Sequence, residues 1–497
     1  MVLPARLEEQ RLKIHAYAQD FGLDFYDTIF EYVNFEEMSM IASYGGFPTR
    51  YPHWKFGMEY EQLAKSYKYG LSRIYELVIN NDPSYAYLLK SNTDTDQKLV
   101  MAHVYGHVDF FKNNFSFAHT NRKMMDAMAN HGTRIRRYMD RYGVEKVEGF
   151  VDRCLSLENL IDRQSPYIQR RRKVQAKPDR DAALDEVPQI DVEREYMRGY
   201  VNPKGYLEEQ RKKLEAQKEK EPRFPEHPEN DILLFLLEHA PLENWELDIL
   251  ALLRSEAYYF LPQAQTKIMN EGWASYWHTT IMTQKALEPS EVVDYADTHA
   301  GTMGVQPGSI NPYKLGLELF RDIEQRWNKG RFGREWVECD DLKLKKDWDT
   351  QVGLGRQKIF EVRQHYNDVT FIDEFLTPEF VFEQKMFNYG FNKKTGNWEI
   401  LEREYKAIKS KLLTQLTNFG QPHISVVDGN YENRGELLVV HRHEGTDLRN
   451  DYMRDTLVNL VGLWSRPVVL ATKFGDRGVL VRFDGQDFSE TKLKEPK

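Results

Sequence analysis

Apolar residues recur every three or four positions through most of the first 375 residues, and this spacing predicts helices. The pattern is strongest between Trp245 and Phe260, which we predict to be a buried helix. Further helices are predicted at 6–21, 57–67, 71–80, 100–114, 121–142, 144–162, 267–287 and 315–329. Turn-forming residues predict a long loop at 299–313. The N-terminal three quarters of the chain are therefore expected to be mainly α-helical.

The pattern changes towards the C-terminus, where short apolar segments alternate with turn signals. Strands are predicted at 423–427, 436–443, 467–471 and 479–483, with helices at 402–416 and 448–463. A hairpin is predicted from 380–391 and 397–401, which flank the turn at 392–396. The sequence thus predicts an α+β fold, in which a large helical part precedes a smaller α+β domain.

These patterns divide the chain into four predicted ranges. Residues 1–164 and 231–375 are helical regions that we expect to pack on each other. Residues 165–230 are rich in charge and poor in core residues, which predicts an excursion or linker with one exposed helix near 206–220. Residues 376–497 form the predicted α+β domain.

Composition narrows the functional class. The chain has 77 acidic and 68 basic residues and a net charge of −9, which argues against a nucleic-acid-binding protein held by phosphate contacts. Two distant cysteines, Cys154 and Cys339, exclude a disulfide framework and suit a reducing compartment. No segment approaches the roughly 18 apolar residues of a membrane helix. We therefore expect a cytoplasmic protein without a membrane span.

Two histidines four residues apart, His103 and His107, lie in the helix predicted at 100–114. Positions i and i+4 share a helix face, so both imidazoles can reach one metal ion, with Asp109 and Asn113 as supporting partners. Glu271, on the helix predicted at 267–287, supplies a third ligand of a suitable type. We predict a divalent metal, most simply zinc, bound by these three residues with one coordination position open. The alternative is a pair of packed core histidines.

The arrangement is similar to gluzincin metallopeptidases, in which an HExxH helix is followed by a later ligand glutamate, and it predicts a zincin-like helical core. Val104 replaces the glutamate that serves those enzymes as general base, and valine cannot accept a proton. Glu256 and Glu76 are candidate substitutes for the catalytic base. Each could instead form a buried ion pair, with Arg254 or Arg73 respectively.

Three further histidines leave alternatives open. His278 could be a fourth ligand, a proton donor near the metal, or a cap on the aromatic cluster of Trp273 and Trp277. His441 and His443 share one face of a predicted strand, because strand side chains alternate. They could form a second metal or anion site, or an ordinary exposed or cross-strand pair.

Six segments resemble the SpoVR family, stage V sporulation protein R. They are GGFPTRYPHW (45–54), YELVIN (75–80), HVYGHVDFFKNN (103–114), NEGWASYWH (270–278), YNDVTFIDEF (366–375) and DGNYENRGE (428–436). The resemblance extends from about Gly22 to Phe483 and implies a bacterial cytoplasmic protein linked to formation of the spore cortex, a peptidoglycan layer, or to stress physiology. It also implies two partners, a serine protein kinase and a von Willebrand-type protein.

The resemblance implies a process and leaves the reaction open. One hypothesis is a metal-dependent hydrolase with His103, His107 and Glu271 as ligands. The other is a regulatory or scaffold protein without catalysis, which retains a degenerate zincin-like core. Val104 favours the second hypothesis, whereas the polar residues and tryptophans around both helices favour the first.

Overall fold

The computed structural model of this protein describes residues 3–68, 76–168, 203, 224–305 and 309–493. The chain forms two compact units, one of residues 1–159 and 243–421 and the other of residues 160–242 and 422–497. Most of the predicted charged excursion, including its helix near 206–220, lies outside the described residues. The four predicted domain ranges stay predictions.

The described helices, numbered in chain order, are α1 (Ala5–Asp20), α2 (Phe35–Ser43), α3 (Trp54–Lys68), α4 (Asp94–Asn113), α5 (Met124–Tyr142), α6 (Val144–Ser156), α7 (Ile232–His239), α8 (Asn244–Gln265), α9 (Lys267–Ile281), α10 (Val292–Thr302), α11 (Pro312–Asn328), α12 (Gly333–Val337), α13 (Leu342–Asp347), α14 (Gly355–His365), α15 (Asp368–Phe375), α16 (Pro378–Glu383), α17 (Tyr405–Leu416) and α18 (Asn450–Trp464). Only α7 and α18 of these described helices belong to the second unit. None of the described helices combines the length and the hydrophobicity of a bilayer-spanning segment.

Helix α4 carries the predicted histidine pair and is buried on nearly all sides. The Thr93 side chain accepts a hydrogen bond from the backbone N–H of Asp96 and caps the N-terminus, where Asp94 and Asp96 also favour the helix dipole. Every residue from Val100 to Phe111 is buried. A helix that is buried around its whole circumference lies inside a core, so α4 is central to the first unit.

Helix α9 is buried in the same way from Ile268 to His278. Its N-terminus is capped by Asp368, whose carboxylate accepts hydrogen bonds from the backbone N–H groups of Ile268 and Met269 at 2.8 and 2.9 Å. Burial raises the pKa of Asp368 to about 7. The helix predicted at 267–287 is confirmed, because α9 continues beyond its last α-helical residue as a π-helical turn, Met282–Ala286.

The central helices approach each other at glycines. A Cβ added to Gly106 of α4 would lie 2.7 Å from the Cα of Ala274 on α9, and one added to Gly272 of α9 would lie 2.4 Å from the backbone of Gly316 on α11. Gly272 and Ala274 are two residues apart and therefore lie on nearly opposite faces of α9. Helix α9 is thus packed between α4 and α11 at distances that only the absence of a side chain permits.

The first unit also contains a three-stranded sheet, built from β1 (Thr28–Val33), β2 (Glu76–Ile79) and β3 (Ser84–Leu89) in the order β1–β3–β2. Strand β3 pairs in parallel with β1 and antiparallel with β2. The prediction of a helix at 71–80 is therefore wrong for residues 76–79. The β-branched Val78 and Ile79 favour a strand, and pairing with β3 overrides the apolar spacing that resembled a helix. Residues 71–75 lie outside the described part of the chain.

The second unit contains a five-stranded sheet of β6 (His423–Tyr431), β7 (Glu436–Arg442), β8 (Val468–Phe474), β9 (Arg477–Phe483) and β10 (Phe488–Lys492). Its order is β10–β9–β8–β7–β6, and β7 and β8 are parallel while the other neighbours are antiparallel. Helix α18 connects the parallel pair, as parallel strands require, and packs on β8 and β9. The strands and the helix predicted here are confirmed, and the fold class is α+β.

Several boundaries differ from the sequence prediction, for example the helix predicted at 144–162, which ends at Ser156. The predicted hairpin is confirmed as β4 (Asn388–Asn392) and β5 (Asn397–Glu402), but residues 378–383 form helix α16 instead of extending its first strand. Thr377 caps α16, and the proline that follows it occupies the first helical turn, where its missing N–H is not needed. The loop predicted at 299–313 begins only after α10 ends at Thr302.

The close contact between α9 and α11 makes Gly272 a sensitive position. We expect Gly272→Ala to lower the free energy of unfolding by about 1–3 kcal/mol, because the added methyl group must displace backbone. Gly149→Ala in α6 is the matched control, since an added Cβ meets nothing within 4 Å, and it should raise stability by about 0.5–1 kcal/mol. Urea denaturation of the full chain measures both; equal effects of the two substitutions would contradict this packing.

Candidate metal centre

The structure brings the three predicted ligands together. Oε2 of Glu271 lies 3.5 Å from Nε2 of His103 and 3.4 Å from Nε2 of His107. One ligand atom from each residue lies within 4.8 Å of the other two, and all three residues are buried. In the described part of the chain, this is the one group of at least three histidine, cysteine or acidic side chains arranged so that it could hold a metal ion.

The two distances from the carboxylate oxygen to the imidazole nitrogens fit the edges of a tetrahedral site. Ligands about 2.0–2.1 Å from zinc, at tetrahedral angles, lie about 3.3–3.5 Å from each other. The two Oε2–Nε2 distances, 3.5 and 3.4 Å, match that edge length. They exceed the roughly 2.7–3.2 Å of an ordinary hydrogen bond. The donor set therefore fits a cation at its centre better than a direct carboxylate–imidazole contact.

The ligands are supplied by two matching helix faces. His103, Gly106 and His107 share one face of α4, because Gly106 and His107 follow His103 by three and four residues. On α9, Glu271 and Ala274 share a face by the same spacing. The close contact between Gly106 and Ala274 holds these two helix faces together, so both imidazoles lie near the carboxylate.

Two α9 residues that the sequence analysis did not identify orient the ligands. Nδ1 of His107 lies 2.9 Å from Oδ1 of Asn270, and since an amide oxygen only accepts, the imidazole donates there and keeps the Nε2 lone pair for a metal. The ammonium group of Lys267 donates to Oε1 of Glu271 and leaves Oε2 for the ion. The i, i+4 spacing of Lys267 and Glu271 was a signal that could have identified this pair.

Glu271 remains a carboxylate in this buried position. Burial raises its pKa, but the nearby imidazoles of His107 and His103 and the ammonium group of Lys267 together hold that pKa well below its usual range. A charged carboxylate is the form that coordinates a metal ion.

His278 lies behind His103 and not beside the ligand atoms. Its Nδ1 is 2.9 Å from Nδ1 of His103, which is the ring nitrogen that does not face Glu271. Its Nε2 is 3.3 Å from Nδ1 of the half-buried His299. Burial lowers the pKa of His278 well below its usual range and favours a neutral ring. In this geometry His278 orients His103 through the ring nitrogen that does not face Glu271.

Asp109 and Asn113 do not support the imidazoles, so that expectation is wrong. Asp109 accepts hydrogen bonds from the indole N–H of Trp273 at 2.7 Å and the backbone N–H of Asp24 at 2.8 Å, and it pairs with Arg363 at 3.2 Å. Burial raises the pKa of this carboxyl to about 6, although Arg363 opposes the shift. Asn113 donates to the backbone carbonyl groups of Asp24 and Asp109. These contacts fix α4 to its neighbours.

Glu256 belongs to a different buried cluster. Its Oε2 accepts a hydrogen bond from Arg50 at 2.6 Å, and its Oε1 lies 2.8 Å from Nδ1 of His131. The alternative of a buried ion pair therefore describes this residue, with Arg50 as the partner in place of the expected Arg254, which lies over the ring of Tyr258.

Glu76 begins strand β2, where its backbone pairs with Leu88. Arg73, its predicted ion-pair partner, lies outside the described residues.

In the second unit, Nδ1 of His441 lies 2.9 Å from the hydroxyl of Thr472, and Nε2 of His443 lies 2.8 Å from Asp447. Each histidine of this pair thus has a polar neighbour of its own. The two side chains are not part of a metal-ligand group among the described residues. The alternatives of an anion site and of an ordinary pair stay predictions.

Comparisons with known proteins place the chain in a family. Residues 3–421 match the family described as SpoVR like protein. The uncharacterized protein YcgB of Escherichia coli strain K12 is 29% identical over 512 aligned positions, which cover 94% of this chain and 92% of that protein. No solved structure matches the chain. The family match includes all three candidate ligands and ends before the last of the six segments, at 428–436.

The contact between Asn270 and His107 predicts a specific loss of metal affinity. We expect Asn270→Ala to weaken zinc binding by about 10–100-fold, because the His107 ring loses the acceptor that sets its tautomer and orientation. Asn113→Ala is the control, since its amide donates to backbone carbonyl groups and should leave affinity unchanged. Competition with a chromophoric chelator measures the zinc dissociation constant of each variant. An equal loss in the two variants would refute this role of Asn270.

Proposed function

We propose that this chain, which belongs to the SpoVR-like protein family, binds a divalent metal ion, zinc, through His103, His107 and Glu271. Membership in this family supports an association with sporulation. The observation that carries the proposal is the pair of Oε2–Nε2 distances, 3.5 and 3.4 Å, inside a buried site formed by two closely packed helices.

We infer that the metal is catalytic and that the protein is a metal-dependent hydrolase. Structural zinc sites have four protein ligands, whereas catalytic sites keep one position for water or substrate. The residue nearest to a fourth ligand, His278, contacts the far nitrogen of His103 and leaves that position open. A zinc ion there would act as a Lewis acid towards a substrate oxygen. Lys267 and Asn270 would hold the ligands in place during turnover.

A second function, a regulatory or scaffold role with a structural metal, has its own support. Val104 is fully buried where the HExxH motif carries its general base. The proposed substitute Glu256 is engaged by Arg50 and His131, which compete for its lone pairs. Four points stay predictions. They are the similarity of the core to zincins, the link to the spore cortex, the cytoplasmic location and the two partners that the family resemblance implies.

Elemental analysis of the purified full chain tests the metal site. We expect about one zinc per chain in the unmodified protein, and loss of the metal in His103→Ala and in Glu271→Gln, because each removes one of only three ligands. His423→Ala removes an exposed histidine of the second unit and should keep the metal. Circular dichroism of each variant verifies the fold. A folded, metal-free unmodified protein, or full occupancy in a ligand variant, would refute the site.

Chelation separates the catalytic from the structural interpretation. We expect a strong chelator to remove the metal from the full chain while the circular dichroism spectrum persists, because the close contact of Gly106 on α4 with Ala274 on α9 brings the ligands together without help from an ion. Removal of the metal should lower the free energy of unfolding by only the contribution of ligand binding, about 2.7 kcal/mol relative to the protein at a hundredfold excess of metal over Kd. Collapse of the helical signal on chelation would establish the structural role instead.

A further inference from the structure

A cavity of about 390 Å³ opens in the first unit, and none of the three candidate metal ligands lines it. Four of its apolar lining residues are buried members of the main hydrophobic core: Leu315 of α11, Phe380 of α16, and Ile408 and Leu412 of α17. The volume falls in the range of about 300–1,000 Å³ that is typical of small-molecule sites. Core side chains therefore give the cavity an apolar floor.

The polar lining of the cavity carries an excess of positive charge. Lys314, Lys385 and Lys411 line it, against a single glutamate, Glu318, among the described residues. Glu318 is paired with Arg321 at 2.9 Å, so its charge is already compensated. The ammonium group of Lys411 donates to Oδ1 of Asn388, another lining residue, at 3.2 Å. The lining therefore attracts an anion.

One of these lysines is held by a backbone conformation that is rare for its residue type. Lys385 has a φ of +52°, in the left-handed region that favours glycine. Its carbonyl oxygen accepts a hydrogen bond from the Tyr389 hydroxyl at 3.3 Å, and its N–H donates to the carbonyl of Phe382 at 3.2 Å. The N–H of Met386 also donates to the carbonyl of Val381 at 2.9 Å, so Lys385 closes the C-terminus of α16 as a Schellman motif, and the helix end fixes its position.

We propose that this cavity binds a small amphiphilic anion, a straight acyl chain that ends in a carboxylate. The acyl chain would lie on the core residues, and the carboxylate would be bound by the ammonium groups of Lys314 and Lys385. A neutral apolar molecule would use only the floor, and a cationic one would be repelled by the lysines. This inference concerns a second site and does not rest on the proposed metal.

Titration calorimetry of the full chain with decanoate, below its micelle concentration, tests the proposal. We expect saturable binding of one decanoate per chain, with decanol at least about tenfold weaker, since a charge-assisted contact contributes about 1.4 kcal/mol or more. Decyltrimethylammonium should not bind. Equal affinity for decanoate and decanol would overturn the assignment of an anion, and absence of binding by all three would overturn the site.

Variants locate the binding to this cavity. The double substitution Lys314→Gln and Lys385→Gln should weaken decanoate binding about tenfold and leave decanol unchanged, because it removes only the charges. Leu412→Trp should abolish the binding of both decanoate and decanol, because the larger indole side chain would occupy the space above the apolar floor. Lys343→Gln removes an exposed lysine that does not line the cavity and is the matched control. An equal loss in Lys343→Gln, or full binding in the folded Leu412→Trp protein, would overturn the proposal.

Discussion

The direct backbone contact between α4 and α9 at Gly106 and Ala274 is the constraint on which the candidate site depends. An added Cβ at Gly106 would lie 2.7 Å from the opposing Cα, so the two helices touch without an intervening side chain. His103 and His107 flank this contact on one helix, and Glu271 lies one turn before it on the other. A wider spacing would separate the carboxylate from both imidazoles.

Such close packing buries several charged groups, and the buried carboxylates around α9 have specific partners. An unpaired buried charge costs several kcal/mol, whereas a paired and hydrogen-bonded one is tolerated. Asp109 is satisfied by Trp273 and Arg363, and Asp368 by the N-terminal amides of α9. At Glu271 the compensation comes from one ammonium group and two imidazoles, whose separations leave room for an ion. Buried in this way, each of these carboxylates requires a positively charged or hydrogen-bond-donating partner.

The donor set resembles that of catalytic zinc centres, but the general base that the gluzincins use is missing. Three ligands, an open position and oriented imidazoles are properties of catalytic zinc centres. Val104 removes the general base expected at its position, and Glu256 is held in an ion pair with Arg50. A reaction at this centre would therefore need a proton acceptor other than the one used by the gluzincins. The descriptions of the family and of the Escherichia coli relative name no reaction.

The sequence alone determined the helical character of most of the first unit, the strands of the second and the identity of the three candidate ligands, because periodicity and i, i+4 spacing are local properties. It could not determine that 76–79 pairs with β3, that Asn270 and His278 orient the histidines, or that Arg50 is the partner of Glu256. Those contacts join residues between 6 and 206 positions apart. Only the tertiary structure decides them, because long-range pairing depends on which surfaces the packed helices and strands bring into contact.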